Sequence, residues 1–336
     1  MAIAGLAFAA LFLAATSSTA SAAPPVTFVF GDSLTEVGNN NYLQYSLAKS
    51  NYPWYGVDYV GGQPTGRFTN GRTIGDIISE KLGISSPPPY LSLAQNDDAV
   101  LKGVNYASGG AGILNDTGLY FVITHFLEEL CRVQIQRLSF DDQIKNFAKT
   151  KETIQSKLGE VAANKFCNEA TYFIGIGSND YVNNFLQPFL PDGQQYTHEE
   201  FIELLISTLD QQLSRLYQLG AQKMVFHGLG PLGCIPSQRV KSKTGQCLKR
   251  VNQWVLEFNS RVQKLLYSLN RRLPNAKLIF ADTYPAVLDL IDNPNAYGEP
   301  NALCIFSHET DGPMLADKLF SSLFSAAHSP APAPSH

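Results

Sequence analysis

Five short apolar runs, at residues 26–30, 103–107, 171–176, 223–226 and 277–281, recur along the chain with helical patterns between them. Apolar runs that do not alternate with polar residues are buried on both faces. Strands separated by helices return to the same edge of a sheet and therefore run parallel. The pattern predicts an α/β fold, a three-layer α/β/α sandwich around a central, mostly parallel five-stranded sheet. The clearest intervening helix opens on Thr197, with Glu200 three residues on as a capping box. It carries Phe201, Leu205, Leu209, Leu213 and Leu216 on one face and stops at Gly220. A second runs from about Lys249 to Arg272, with Val251, Trp254, Val255, Phe258, Val262, Leu265, Leu266 and Leu269 at helical spacing. Both stripes are expected to face the core.

With 336 residues, 44% hydrophobic and 16% charged, the chain has the apolar material for one large core and too little charge for a disordered protein. A net charge of −4 without any Lys/Arg run leaves nothing to neutralise phosphates, so nucleic acid is not an expected partner. Residues 1–22 hold an apolar run over 2–15 and an A-x-A site at Ala20-Ser21-Ala22. That run is shorter than the ~20 residues of a spanning helix, so it reads as a secretory signal; the alternative is an uncleaved anchor. A secreted, extracellular protein with no stable membrane anchor is expected, its domain covering 23–326 and a Pro/Ala tail covering 327–336. Five cysteines, Cys131, Cys167, Cys234, Cys247 and Cys304, leave at least one unpaired within the chain. Cys234 and Cys247 bracket a polar, Gly/Pro/Ser/Lys-rich stretch that suggests a surface loop closed by a disulfide. The spacing fits no zinc pattern. Asn115-Asp116-Thr117 is a glycosylation sequon.

Chemistry-bearing residues gather where the runs end. Gly31-Asp32-Ser33-Leu34 puts a serine at the carboxyl end of the first strand, where open α/β sheets collect their sites, although such a turn is also ordinary loop chemistry. The second run ends in Ser108-Gly109-Gly110, glycines that expose N–H groups of the kind an oxyanion requires or that simply make a flexible turn. The third ends in Gly177-Ser178-Asn179, where an asparagine amide can face a developing oxyanion or cap the next segment. Taken together, three polar tips at one end of the sheet suggest acyl transfer. A serine nucleophile also needs a base. Of the six histidines, His328 and His336 fall at the tail, His198 opens a helix, His125 sits in an irregular segment and His227 ends the fourth strand beside glycines that suggest packing. His308 is the remaining candidate. No H-E-x-x-H or clustered ligand set points to a metal hydrolase, and no G-x-S-x-G points to an α/β-hydrolase elbow.

Several longer motifs occur in order: GDSLTEVGNN at 31–40, PTGRFTNGR at 64–72, GVNYASGGAGILNDTG at 103–118, IGSND at 176–180 and GLGPLGCIP at 228–236. In these the chain resembles the plant GDSL esterases and lipases of the SGNH hydrolase superfamily, whose sheet is flavodoxin-like. The resemblance implies Ser33 as nucleophile and His308 as base. The oxyanion would be held by the Ser33 and Gly110 N–H groups and the Asn179 side chain. An ester or lipid substrate and no cofactor are implied; oligomeric state stays open. The chain departs from the family pattern at three places. Glu36 stands where the family has Asp. Residues 122–134 look inserted. Near the end, around 298–313, the family carries a cysteine-rich segment and then D-x-x-H-P, whereas here Ile305 occupies the Asp position and Glu309 the Pro position. An insertion and a deletion in one chain suggest a splice variant or a shifted exon boundary. Two functions follow: an active carboxylic-ester hydrolase, or a non-catalytic binding protein on the same fold that has lost its acid.

Overall fold

The computed structural model describes residues 25–123, 131–134, 136–188, 190 and 192–297. Each apolar run becomes a strand. In chain order the strands are β1 (Thr27–Gly31), β2 (Gly103–Asn105), β3 (Tyr120–Ile123), β4 (Cys131–Gln134), β5 (Thr171–Gly175), β6 (Lys223–His227) and β7 (Lys277–Ala281). The helices are α1 (Ile74–Lys81), α2 (Phe140–Leu158), α3 (Glu160–Glu169), α4 (Asp192–Gln195), α5 (His198–Gln218), α6 (Pro236–Arg239), α7 (Lys249–Arg272) and α8 (Tyr284–Asp292). The central sheet has the order β2-β1-β5-β6-β7, and every pair in it is parallel. Numbered within the sheet alone this is 2-1-3-4-5, the flavodoxin-like doubly wound order.

Side chains alternate across the strands, and this sorts them into two covering layers. Phe28, Phe30, Tyr172, Ile174, Met224 and Phe226 join the large core with residues of α2, α3, α5 and α7. Phe28 packs 5.1 Å from Phe147 of α2 and stacks on Tyr172, while Phe30 stacks on Tyr106. On the opposite face, Val225 packs with Val287 and Leu290 of α8, and Phe173 reaches Ile77 and Ile78 of α1. The two stripes expected on α5 and α7 are buried, except that Trp254 is only half-buried and stacks on His198 at 4.6 Å. Helix starts are fixed locally. Thr73, Ser139 and Thr197 each accept from the N–H three residues on, and Asp76, Asp142 and Glu200 bond back, forming three capping boxes.

Two differences from the sequence reading have physical causes. The second strand ends at Asn105 rather than at 107, where the Asn105 side chain accepts from the Ala107 N–H, while the Tyr106 and Ser108 N–H groups still donate to the Val29 and Gly31 carbonyls of β1. The segment that reads as inserted, 122–134, begins within β3 and ends with β4; these strands pair antiparallel with each other, Tyr120 opposite Gln134 and Ile123 opposite Cys131, and with no strand of the central sheet. Among the described residues, no helix is long and apolar enough to cross a membrane. Cys234 and Cys247 are joined by a disulfide with Cα atoms 4.3 Å apart, and Cys167 is free and buried. The expected signal at 1–22, the departure at 298–313 with Cys304, Ile305, His308 and Glu309, and the tail at 327–336 lie outside the described residues, as does His125.

Candidate active site

β1 is flanked by β2 on one side and β5 on the other, so its carboxyl end lies where the chain order of the sheet reverses. Ligands of open α/β sheets bind at such a point. Gly31 lies opposite Gly175, and a Cβ there would sit 2.5 Å from the Gly175 carbonyl oxygen, so only glycine lets the strand run this close before turning. The turn is built on Asp32. Its carbonyl accepts from the N–H groups of Thr35 and Glu36, and its carboxylate accepts from the Leu34 N–H at 3.0 Å and from Ser178 Oγ at 2.6 Å. Burial pushes the Asp32 carboxyl up from its usual range, and those donors pull it part of the way back. Asp32 thereby ties the first tip to the third. Ser33 is left at the apex, half-buried, and its side chain makes no hydrogen bond among the described residues.

At the third tip, the Asn179 amide donates to the Ala111 carbonyl at 2.8 Å and accepts from Asn183 at 2.8 Å, which fixes its plane and leaves one N–H free to donate. A short π-helical turn, Asp180–Phe185, follows at once; such turns are frequent at functional sites. The buried Asp180 carboxylate gathers the second tip by accepting from the N–H groups of Ile113 and Leu114 and from Thr117 Oγ1. Burial raises it to about 6 against the pull of these donors.

Ser33 and Asn179 line one cavity of about 320 Å³ whose other walls are mostly apolar, among them Ile74, Ile78, Phe173, Leu229 and Val287. Gly110 does not line it. This glycine has φ of +85°, a backbone conformation that other residues adopt only with strain, and its N–H donates no hydrogen bond among the described residues.

Histidine placement is where sequence reasoning fell short. His227, which the sequence assigns to packing, is in the wall of the same cavity as Ser33, and burial pulls it down to about 4. The signal was its register: His227 follows Phe226, which pairs with Ile174, so it stands level with the strand ends that carry the site. His198 stands apart from that cavity. It stacks on Trp254, meets the Tyr181 hydroxyl at 3.3 Å, and is also pulled to about 4, chiefly by burial and then by the Arg250 charge. Sequence reasoning also missed the polar clamps. Gln143 of α2 is buried and bonds both the N–H and the carbonyl of Gly31, at 2.9 Å each. A polar residue inside the buried stripe of a helix is the pattern that marks such a clamp. Glu36 is fully buried, and burial raises it to about 8, opposed by the N–H groups of Asn40 and Gly109 and reinforced by Asp32. Asn115 is exposed and donates to Asp141. Among the described residues, no three His, Cys, Asp or Glu side chains converge to hold a metal ion.

A parallel sheet in doubly wound order, with a serine turn at its switch point and an asparagine facing the same apolar cavity, defines the chain as an α/β protein of the flavodoxin-like class with its candidate active site at the strand ends. The family model for GDSL-like Lipase/Acylhydrolase matches residues 27–312. An Arabidopsis thaliana protein, GDSL esterase/lipase At5g37690, is 62% identical over 95% of this chain and 95% of its own. Two others from the same plant, GDSL esterase/lipase At1g74460 and GDSL esterase/lipase At1g71691, are 44% and 46% identical, each over 82% of this chain and over 72% and 67% of their own. The chain belongs to the GDSL esterase/lipase family.

Proposed function

We propose that the protein is a secreted serine carboxylic-ester hydrolase that forms an acyl-enzyme on Ser33. In this reading Ser33 Oγ attacks the ester carbonyl carbon while His308 takes its proton. The tetrahedral oxyanion is held by the N–H groups of Ser33 and Gly110 and by the free N–H of Asn179. Collapse of the intermediate expels the alcohol with a proton from the imidazolium, and water activated by the same imidazole releases the acid. The observation that carries the reading is the meeting of Ser33 and Asn179, from different strand tips, in one apolar cavity. The Cys234–Cys247 disulfide favours an oxidising compartment, in keeping with the apolar leader and with glycosylation at the exposed Asn115.

The apolar walls suit an acyl chain. Burial stabilises each methylene by about 0.8 kcal/mol, which corresponds to roughly fourfold in kcat/KM per added methylene until the cavity is full. A series of p-nitrophenyl esters from acetyl to octanoyl should show this rise and then a plateau, and Ser33→Ala should abolish turnover while keeping its melting temperature. Turnover by the variant at the parent rate removes Ser33 as nucleophile. A flat or falling series removes the apolar cavity as the acyl site.

A further inference from the structure

The second tip is gripped by the segment that follows Ser33, and the grip falls on one residue, Gly109, at the two peptide groups that flank its Cα. Glu36 is buried with both carboxylate oxygens committed. One accepts the Asn40 N–H at 2.6 Å and the other the Gly109 N–H at 2.5 Å. Asn40 is buried as well, and its amide is fully used. Its Nδ2 donates to the carbonyls of Ala48 at 2.7 Å and Gly109 at 3.0 Å, and its Oδ1 accepts from Ser108 Oγ at 2.5 Å. Gly109 is therefore held at both its N–H and its C=O. That carbonyl belongs to the same planar unit as the Gly110 N–H. In a trans peptide the two point in opposite directions, and no cis peptide occurs among the described residues. Fixing the Gly109 carbonyl on Asn40 thus fixes where the Gly110 N–H points, on the side away from Asn40. Phe68 packs against Gly109 so closely that a Cβ there would lie 2.7 Å from its ring, so no larger residue fits.

We infer that Glu36 and Asn40 are positioning residues for the Gly110 N–H: they hold Gly109 on both sides and so set the direction in which that N–H points. The inference rests on the proposed hydrolase reading, in which that N–H is an oxyanion donor. It gives the buried acid a task in the reaction that needs no contact with substrate. Losing one oxyanion donor costs about 10²–10³ in kcat, so misaiming one should cost on the order of tenfold to a hundredfold.

The test uses the full chain with Asn40→Asp, which puts an acceptor where Gly109 and Ala48 need a donor, and Glu36→Gln, which puts a donor against one of two N–H groups at unchanged volume. Asn41→Ala is the control, because Asn41 bonds the Thr65 carbonyl and not the glycine tip. Measured on p-nitrophenyl butyrate, both site variants should lose kcat by tenfold or more with KM within twofold, and Asn41→Ala should keep it. Affinity for butylboronic acid, which forms a tetrahedral adduct on a reactive serine, should fall in the same proportion. A purely structural role would lower the melting temperature and the folded fraction but leave boronate affinity per folded molecule intact. That result overturns the inference, as does an unchanged kcat in either folded variant. If Ser33→Ala abolishes turnover while both site variants keep it, only this inference fails. If the parent hydrolyses no ester, the hydrolase reading fails and takes this inference with it.

Discussion

Burial acts on His198 and His227 in the same direction, holding both imidazoles neutral down to about pH 4 instead of 6.5. Because these folded-state values are depressed, the stability each contributes is present above pH 6.5 and is lost as the pH falls toward 4. Glu36, raised to about 8, and Asp180, raised to about 6, act oppositely. Their contributions are complete below the ordinary carboxylate range and are lost as pH rises through those values. The total curve mixes both signs, so the informative quantity is a difference. Denaturant melts of the parent and His227→Gln between pH 7 and 4 should show the parent losing more stability than the variant over that window. Parallel curves would mean that His227 is not desolvated. Nothing in the residue types announced these shifts. Glu36, Asp180 and His227 look like ordinary turn and strand-end residues until the tips fold over them.

Elements were legible to the extent that their patterns were long. α5 and α7 run 21 and 24 residues, with long apolar stripes each broken by a single buried polar residue, Gln212 and Asn259. α2, at 19 residues, does not stand out in the same way, because Gln143 and Thr150 occupy buried positions of its stripe, the first clamping Gly31 and the second bonding the Tyr106 hydroxyl. α1 is only 8 residues long, too short for its period to register. Its start is the Thr73–Asp76 capping box, and Asp76 is also held by buried Arg67 at 2.7 Å, a pair that spacing along the chain does not reveal. The loop between Cys234 and Cys247 makes few long-range bonds of its own, and the disulfide closes it after 13 residues. In the chain-entropy treatment a loop of that size is worth about 3 kcal/mol. The double variant Cys234→Ala/Cys247→Ala should lose about that amount of unfolding free energy in denaturant melts. A loss below about 0.5 kcal/mol would show that the loop is ordered without its crosslink.

For the molecule as a whole, the order of the sheet decides where chemistry can gather. Parallel strands place all their carboxyl ends on one rim, and the reversal between β2 and β5 opens a crevice beside β1, into which Ser33 and Asn179 are carried by strands far apart in sequence. That much was readable from five apolar runs and the residues that end them. The joining of the rim was not, because it depends on side chains acting across loops: Asp32 on Ser178, Asp180 on the 113–117 turn, Glu36 and Asn40 on Gly109. The proposed base, His308, and Ile305 lie outside the described residues, so the proposed nucleophile is where the account is most exposed. Treatment of the intact protein with an alkyl fluorophosphonate, followed by peptide mass analysis, tests it directly. The account predicts one covalent adduct, on the peptide containing Ser33, and none on Ser33→Ala; an adduct that persists in that variant, or that maps to another residue, would contradict it.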